Sequence, residues 1–322
     1  MEYMEGWESM KQSNKKVLIL SLTEKDDYAL AEWRKNGVDT DITLKDCSKI
    51  FRAIRRIWIR LHLPFEHIWY GDWKKIICQY DCVLVHGTWL AERVPHWIRK
   101  KVGKEKKIIW WYWNKITEAD HPERVLDEDC EKWSFDREDC EKYGMRYNTQ
   151  YYFKSYQITE NIEQNVDVYF LGSDGGRLSF VINLKKKMES MGIICDFNIL
   201  ISDRHQIAEE KEDCFILEKM DYQENLNHIG ASKAVLEILR EGQTGQTLRA
   251  LECLFHKKKL ITNDLSLEKA PYYHSNNIFL LGKDEFELLP EFLERPYVEM
   301  EDAIVQQYES KMWLERFGIV VE

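Results

Sequence analysis

Between Ala234 and Phe255 the chain changes its hydrophobic period within a single stretch. Ala234-Val-Leu is a short apolar run. It leads into Glu237-Ile-Leu-Arg-Glu-Gly-Gln-Thr-Gly-Gln-Thr-Leu-Arg-Ala-Leu-Glu252. Leu248, Leu251 and Phe255 then recur at i, i+3 and i+7, the apolar stripe of a helix. The order is a buried strand of the parallel kind, a polar loop and a helix. The loop holds Gly242, Gln243, Thr244, Gly245 and Thr247. Such a loop gathers free backbone N–H groups at the positive end of a helix dipole, which favours an anion such as a diphosphate. Arg249 and Glu252 lie three apart, on one side of the helix. Arg249 can add a charge-assisted bond to phosphate, and Glu252 can accept hydrogen bonds from a pair of ribose hydroxyls. The plainer alternative is a glycine turn, with Arg249 and Glu252 paired at the surface and Gln243 and Thr244 solvated.

The same rhythm runs through the chain. Short apolar runs at Lys16–Ser21, Asp81–His86, Lys107–Asn114, Val166–Leu171 and Cys195–Ile201 alternate with helical patterns. That alternation predicts an α/β fold with parallel sheets. At 322 residues there is room for two domains. Tyr147 to Val166 is a polar stretch interleaved with tyrosines, and the boundary is expected there, between residues 1–156 and 157–322. Residues 1–14 read as a polar leader, Thr23 to Asn36 as a helix, and Val298 to Phe317 as one terminal helix. A second strand–loop–helix unit starts at Val166, with Gly172, Ser173, Gly175, Gly176 and Arg177 in its loop. It lacks the full dinucleotide glycine spacing. Arg177 is either a charge for a bound phosphate or the start of a surface helix.

No apolar run reaches the length of a membrane span, and the acidic first residues are not a signal peptide. The eight cysteines are scattered, without zinc spacing, and are expected as reduced thiols in a cytoplasmic protein. Net charge is −10, yet from Lys45 to Lys107 there are 15 Lys and Arg against 6 Asp and Glu. The acidic remainder and the lack of a recognition motif argue against nucleic acid. Within the basic flank, residues 48–63 place Ile50, Ile54, Ile57, Trp58 and Leu61 on one helical face and Arg52, Arg56 and Arg60 on another, with Arg55 beside them. A basic amphipathic helix with Trp reads as a peripheral membrane contact on an anionic surface. The alternative is a helix packed on the sheet with a solvated basic face. Ten of the twelve tryptophans fall between Trp33 and Trp133, which favours the interface.

His86 ends its apolar run where a parallel strand delivers a side chain to a cleft, and can take a proton from a hydroxyl. Glu118, Asp120 and His121 follow the next strand, and Asp120 is a second candidate base. Each has a bland counterpart, a buried histidine bonded to backbone and a solvated loop.

These residues, with Trp111-Tyr-Trp-Asn114, Ser134-Phe-Asp136 and Tyr169-Phe-Leu-Gly172, carry a resemblance that covers most of the chain from Val17. The sequence resembles the nucleotide-sugar-dependent glycosyltransferases of the GT-B fold, especially bacterial enzymes that build capsular, exopolysaccharide or lipopolysaccharide chains. The resemblance implies two Rossmann-like domains facing a cleft, with the last helix crossing back to the first domain. It implies an acidic residue before the glycine loop, near the donor sugar or phosphates, matched by Glu237 or Glu241. It also implies a ribose-holding acid, matched by Glu252, at a spacing wider than the family's usual step. Tyr222 falls where the family places the nucleobase. The implied partners are a nucleoside diphosphate sugar and a saccharide or lipid-linked saccharide acceptor, with no bound metal. Two alternatives share the fold or the site: a sugar-nucleotide epimerase or hydrolase, and a non-catalytic nucleotide-sugar or polysaccharide-binding regulator.

Overall fold

The computed structural model describes residues 15–22, 28–201, 214–216, 218–239 and 246–321. The expected leader at 1–14, the start of the helix expected from Thr23, and Glu241, Gly242, Gln243, Thr244 and Gly245 lie outside the described residues.

The chain forms two compact units. The first takes the residues up to Ser134, Asp139–Asn148 and those from Leu314 onward. Its strands are β1 Val17–Ser21, β2 Asp39–Ile42, β3 Cys82–His86, β4 Lys107–Tyr112, β5 Glu131–Ser134 and β6 Arg146–Tyr147. They lie in the order β2-β1-β3-β4-β5-β6, parallel throughout. All of β1 and the first four residues of β3 are buried, which is why both read as unbroken apolar runs. The helices are α1 Tyr28–Lys35, α2 Lys49–Arg60, α3 Val94–Val102 and α4 Arg137–Tyr143.

The second unit takes Phe135–Glu138 and Thr149–Trp313. Its strands are β7 Val166–Ser173, β8 Cys195–Leu200, β9 Phe215–Ile216, β10 Ser232–Glu237, β11 Lys259–Thr262 and β12 Ile278–Leu280. Their order is β12-β11-β10-β7-β8-β9, again parallel throughout. The helices are α5 Leu178–Ser190, α6 Tyr222–Ala231, α7 Leu248–Phe255, α8 Leu289–Glu294, α9 Asp302–Gln306 and α10 Ser310–Arg316. Both units are therefore doubly wound. In each sheet the strand order reverses once, between β1 and β3 and between β7 and β10, and such reversals open a crevice at the strands' C-terminal ends.

The last residues return to the first unit as expected. Phe317 packs edge-on against Trp133 and Trp111, with ring centroids 4.8 and 5.9 Å apart, and Arg316 donates to Asn148 Oδ1 at 2.8 Å. The single terminal helix expected from Val298 to Phe317 is instead two short ones, α9 and α10. The break has a cause. Tyr152 donates its N–H to the Tyr308 carbonyl at 2.8 Å and accepts from the Ser310 N–H at 2.9 Å, a bridge that takes residues 307–309 out of the helix.

Half of the ten tryptophans between Trp33 and Trp133 are core, and the other half are partly buried. Trp33, Trp73, Trp110 and Trp111 are fully buried, and Trp73 Nε1 donates to the Thr43 carbonyl at 3.1 Å. Two members of the expected membrane-facing set also turn inward. Half-buried Arg55 donates to the Lys45 carbonyl at 2.6 Å, and Trp58 donates to the Pro64 carbonyl at 3.0 Å while its ring meets Trp69. Arg52, Arg56 and Arg60 remain exposed.

Helix α2 rests on two single turns, Glu66–Trp69 and Trp89–Ala91. Within the first, Glu66 is buried, accepts from the Tyr70 hydroxyl at 3.2 Å, and has Arg93 3.9 Å away. Burial pushes the Glu66 carboxyl up to about 7 against these two favourable partners. The folded chain keeps this proton where the unfolded chain releases it. Stability from protonated Glu66 is therefore complete below pH 4.5 and is lost as pH rises to about 7. Glu66→Gln should raise the melting temperature at neutral and alkaline pH, by about 1–3 kcal/mol of stability, and leave it unchanged below pH 4.5. Thermal denaturation across that range checks this; an equal shift at both ends contradicts it.

Candidate functional site

In the second unit the loop after β7 and the start of α7 come to the C-terminal ends of β7 and β10, at the order reversal. Gly172 and Ser173 end β7, and Gly175, Gly176 and Arg177 lead into α5. Gly176 is left-handed, at φ 79°. At Gly172 a Cβ would lie 2.9 Å from the Phe170 ring and 3.3 Å from the Arg177 guanidinium, so the position has no room for a side chain. Arg177 Nη2 lies 3.5 Å from the Ser173 carbonyl, and the Arg177 N–H donates to the Asp174 carbonyl at 2.9 Å. Neither α5 nor α7 carries an acidic residue in its first turn. No acidic side chain of either helix therefore offsets the positive dipole end, which favours an anion there.

Thr247 caps α7, accepting from the Arg249 N–H at 3.1 Å. Its hydroxyl also donates to Glu237, the last residue of β10. The second Glu237 oxygen accepts from Thr262 Oγ1 at 2.6 Å, at the end of β11. Burial raises the Glu237 carboxyl above its ordinary value, and the two hydroxyl bonds oppose that rise. Glu237 thus ties two strand ends and the helix cap together.

Arg249 and Glu252 do not form a surface pair. Arg249 Nη1 lies 2.5 Å from Glu252 Oε2, and the Glu252 side chain is 2% exposed. Asn225 Nδ2 donates to Glu252 Oε1 at 3.2 Å, and Asn225 Oδ1 accepts from Arg249 at 3.2 Å and from the Tyr169 hydroxyl at 3.0 Å. Arg249 Nη2 donates to the Leu171 carbonyl at 3.2 Å, tying the helix to the end of β7. Burial works against the guanidinium charge, and Glu252 together with Tyr169, Cys253 and Tyr222 more than offsets it, so its pKa is raised. Tyr222 opens α6; its ring meets Tyr156 and its hydroxyl donates to the Tyr152 hydroxyl at 3.1 Å. Asn225 and Thr262 were not among the expected residues. Asn225 had a signal, since it sits on α6 beside Leu226 and Ile229, on the face that is buried.

Tyr169 also meets α6. Its ring stacks on His228, 5.2 Å and 14° away, and His228 Nδ1 lies 2.5 Å from Asp196 Oδ2. Lys233 is paired with Asp167 and Glu294.

In the first unit the order reversal opens a cavity of about 360 Å³. His86 and Asp120 both line it, with Ser21, Thr88 and Trp113. The His86 ring stacks on Trp113, 5.6 Å and 27° away. Gly87 keeps the strand end close to the neighbouring strand, since a Cβ there would lie 2.8 Å from Trp110 Nε1. Asp120 is pinned: Oδ1 accepts from the Trp89 N–H at 2.7 Å, and Oδ2 accepts from Thr117 Oγ1 at 2.7 Å. The cavity therefore joins an imidazole, an oriented carboxylate and an aromatic wall. Such walls stack on the apolar faces of sugars.

No family model matches the chain, and no curated protein sequence matches it either. Among solved structures it is similar to AviGT4, a glycosyltransferase involved in avilamycin A biosynthesis. That match has 11% identity over 94% of this chain and 96% of that one, with a TM-score of 0.51. It is also similar to the UDP-GlcNAc 2-epimerase of Methanocaldococcus jannaschii, solved with UDP-GlcNAc and UDP, at 15% identity over 91% and 97%, TM-score 0.46. The UDP-GlcNAc 2-epimerase of Neisseria meningitidis, bound to UDP-GlcNAc, matches at 12% identity over 94% and 99%, TM-score 0.45. The AviGT4 likeness shows the fold: an α/β chain with two Rossmann-like units of the GT-B type.

The buried pair makes a prediction that precedes any ligand. Glu252→Ala leaves the Arg249 charge buried without its carboxylate and should cost about 3–5 kcal/mol of stability. Replacing both, Arg249→Met with Glu252→Leu, should recover most of that loss, because burying neither charge is often neutral. Thermal unfolding of the two variants checks it; a melting temperature unchanged in Glu252→Ala contradicts it.

Proposed function

We propose that this chain is a glycosyltransferase that moves a sugar from a nucleoside diphosphate donor to a hydroxyl of a saccharide. One observation carries the reading: each unit has its own site at its own order reversal, and the two differ in chemistry. The second unit presents two helix N-termini, a glycine loop and Arg177, which suit a diphosphate. The first presents an aromatic-walled cavity with His86 and Asp120, which suits a hydroxyl-bearing substrate. Two chemically distinct sites fit a reaction with two substrates better than an isomerisation of one.

In this reading the donor's nucleotide lies over the ends of β7 and β10. Negative charge grows on the leaving diphosphate in the transition state, and the N-termini of α5 and α7, with Arg177, stabilise it there. That arrangement requires no metal. The Arg249–Glu252–Asn225 network acts first as a frame that fixes α7 against β7, and the outer face of Glu252 is what a ribose would have to reach. His86 takes the proton of the attacking hydroxyl as the new C–O bond forms and the bond to diphosphate breaks; a single displacement of this kind inverts the sugar's configuration. Asp120, with each oxygen already accepting a bond, positions the loop after Thr88 and orients the acceptor. The finer extension is a lipid-linked acceptor in bacterial surface polysaccharide synthesis, handled at the inner face of the plasma membrane.

The test is release of nucleoside diphosphate from a panel of nucleotide sugars, with and without saccharide acceptors and magnesium. Acceptor-dependent release without magnesium is expected. His86→Ala should lower kcat by about 10²–10⁴-fold with nucleotide affinity unchanged. Turnover that ignores acceptor, or a His86→Ala variant at the wild-type rate, contradicts the reading. The first of these results would favour an epimerase or hydrolase on the same fold.

A further inference from the structure

Helix α2 is packed the wrong way round for a helix of a globular core. Ile50, Ile54, Ile57 and Leu61 recur at i, i+4, i+7 and i+11 and form its apolar stripe. That stripe points outward: Ile50 is 73%, Ile57 59% and Leu61 63% exposed. The helix's one buried residue is Ile59, on the opposite side. The apolar surface continues past the helix. Phe65, held in the left-handed region at φ 61°, is 70% exposed, and Ile68 on the following turn is exposed as well. An aromatic residue held at positive φ with its ring in water is unfavourable twice over.

Charge flanks this surface on one side. Lys49, Arg52, Arg56 and Arg60 are exposed, and among the described residues none has an acidic partner. We propose that α2 with Phe65 and Ile68 is a docking surface for an anionic lipid bilayer, the apolar stripe entering the acyl boundary and the arginines meeting headgroup phosphates. A bilayer satisfies both halves of the surface at once. A second copy of the chain would bury the stripe only by bringing the same row of unpaired arginines against itself across a twofold axis.

The surface also has a place in the unit. Helix α2 packs on the turn Trp89–Ala91, and Trp89 lines the His86 cavity. Docking would therefore hold that cavity beside the headgroups, where a lipid-linked acceptor would present its sugar. This last step rests on the transferase reading; the docking itself does not, and its measurement needs no sugar nucleotide.

The experiment is sedimentation of the full chain with vesicles of phosphatidylcholine alone and of phosphatidylcholine mixed with phosphatidylglycerol. Binding is expected only to the mixed vesicles, and it should fall as salt shortens the screening length to about 8 Å at physiological ionic strength. Arg52→Gln, Arg56→Gln and Arg60→Gln should each weaken it about fivefold. Ile54→Glu with Ile57→Glu should abolish it with the melting temperature unchanged, since both side chains are exposed. Absence of binding to the mixed vesicles overturns the proposal, as does binding that persists in the double glutamate variant. So does a concentration-dependent dimer that dissociates in Ile57→Glu, which would make a second copy the occupant.

Discussion

Parallel strands need a crossover that climbs back over one face of the sheet, and the crossover takes one hand. A sheet built this way buries its strands on both faces and sends all its strand-to-helix loops to one edge. Where the strand order reverses, helices leave to opposite faces, and the loops beside the reversal splay apart. Both sheets here obey that constraint, with β1 between β2 and β3 and β7 between β8 and β10. The residues gathered at the two reversals follow from it: His86 and Asp120 at one, and Gly172–Arg177 with Glu237 and Thr247 at the other.

The second reversal is stiffened by polar groups that are largely buried. Glu237 joins the ends of β10 and β11 to the cap of α7, and Arg249, Glu252 and Asn225 join α7 to α6 and to the Leu171 carbonyl. Each of these groups would be costly to bury alone and is tolerated because its partners are in place. Such a network contributes little net stability, but it specifies one arrangement of strand ends and helix start. On the proposed reading a developing diphosphate would need that fixity, since donors that have to reorganise lose most of their effect. The first unit uses other means: Asp120 accepts two hydrogen bonds, and the His86 ring lies against Trp113.

Much of this was legible in the sequence because period and glycine placement are local. The runs at Lys16–Ser21 and Asp81–His86 are strands, and the loop from Gly172 to Arg177 opens a helix. Position on an element was also legible, which is how His86 and Asp120 were expected before the cavity that joins them was known. What failed was whatever depends on the partner across space. Spacing showed that Arg249 and Glu252 meet, and not that Asn225 and the end of β7 join them. The terminal helix looked continuous because nothing in Val298–Phe317 announces the bridge to Tyr152. The tryptophans suggested an interface by their number, yet Trp33, Trp73, Trp110 and Trp111 are core. The outward stripe of α2 was the reverse case. Its amphipathic pattern was plain, and only the packing revealed which face looks out.

On the proposed reading the β7–β10 edge of the second unit holds a nucleoside diphosphate. The most direct measurement is a thermal-shift titration with UDP, GDP, TDP, ADP and CMP, run on the wild type and on Arg177→Ala. A ligand that binds only the folded state raises the melting temperature by about RT ln(1 + [L]/Kd) of stability. The account predicts one preferred nucleoside diphosphate, a shift that does not need magnesium, and a smaller shift in Arg177→Ala. No shift with any nucleotide, or an equal shift in the Arg177 variant, would contradict it and leave a saccharide-binding protein of the same architecture as the better description.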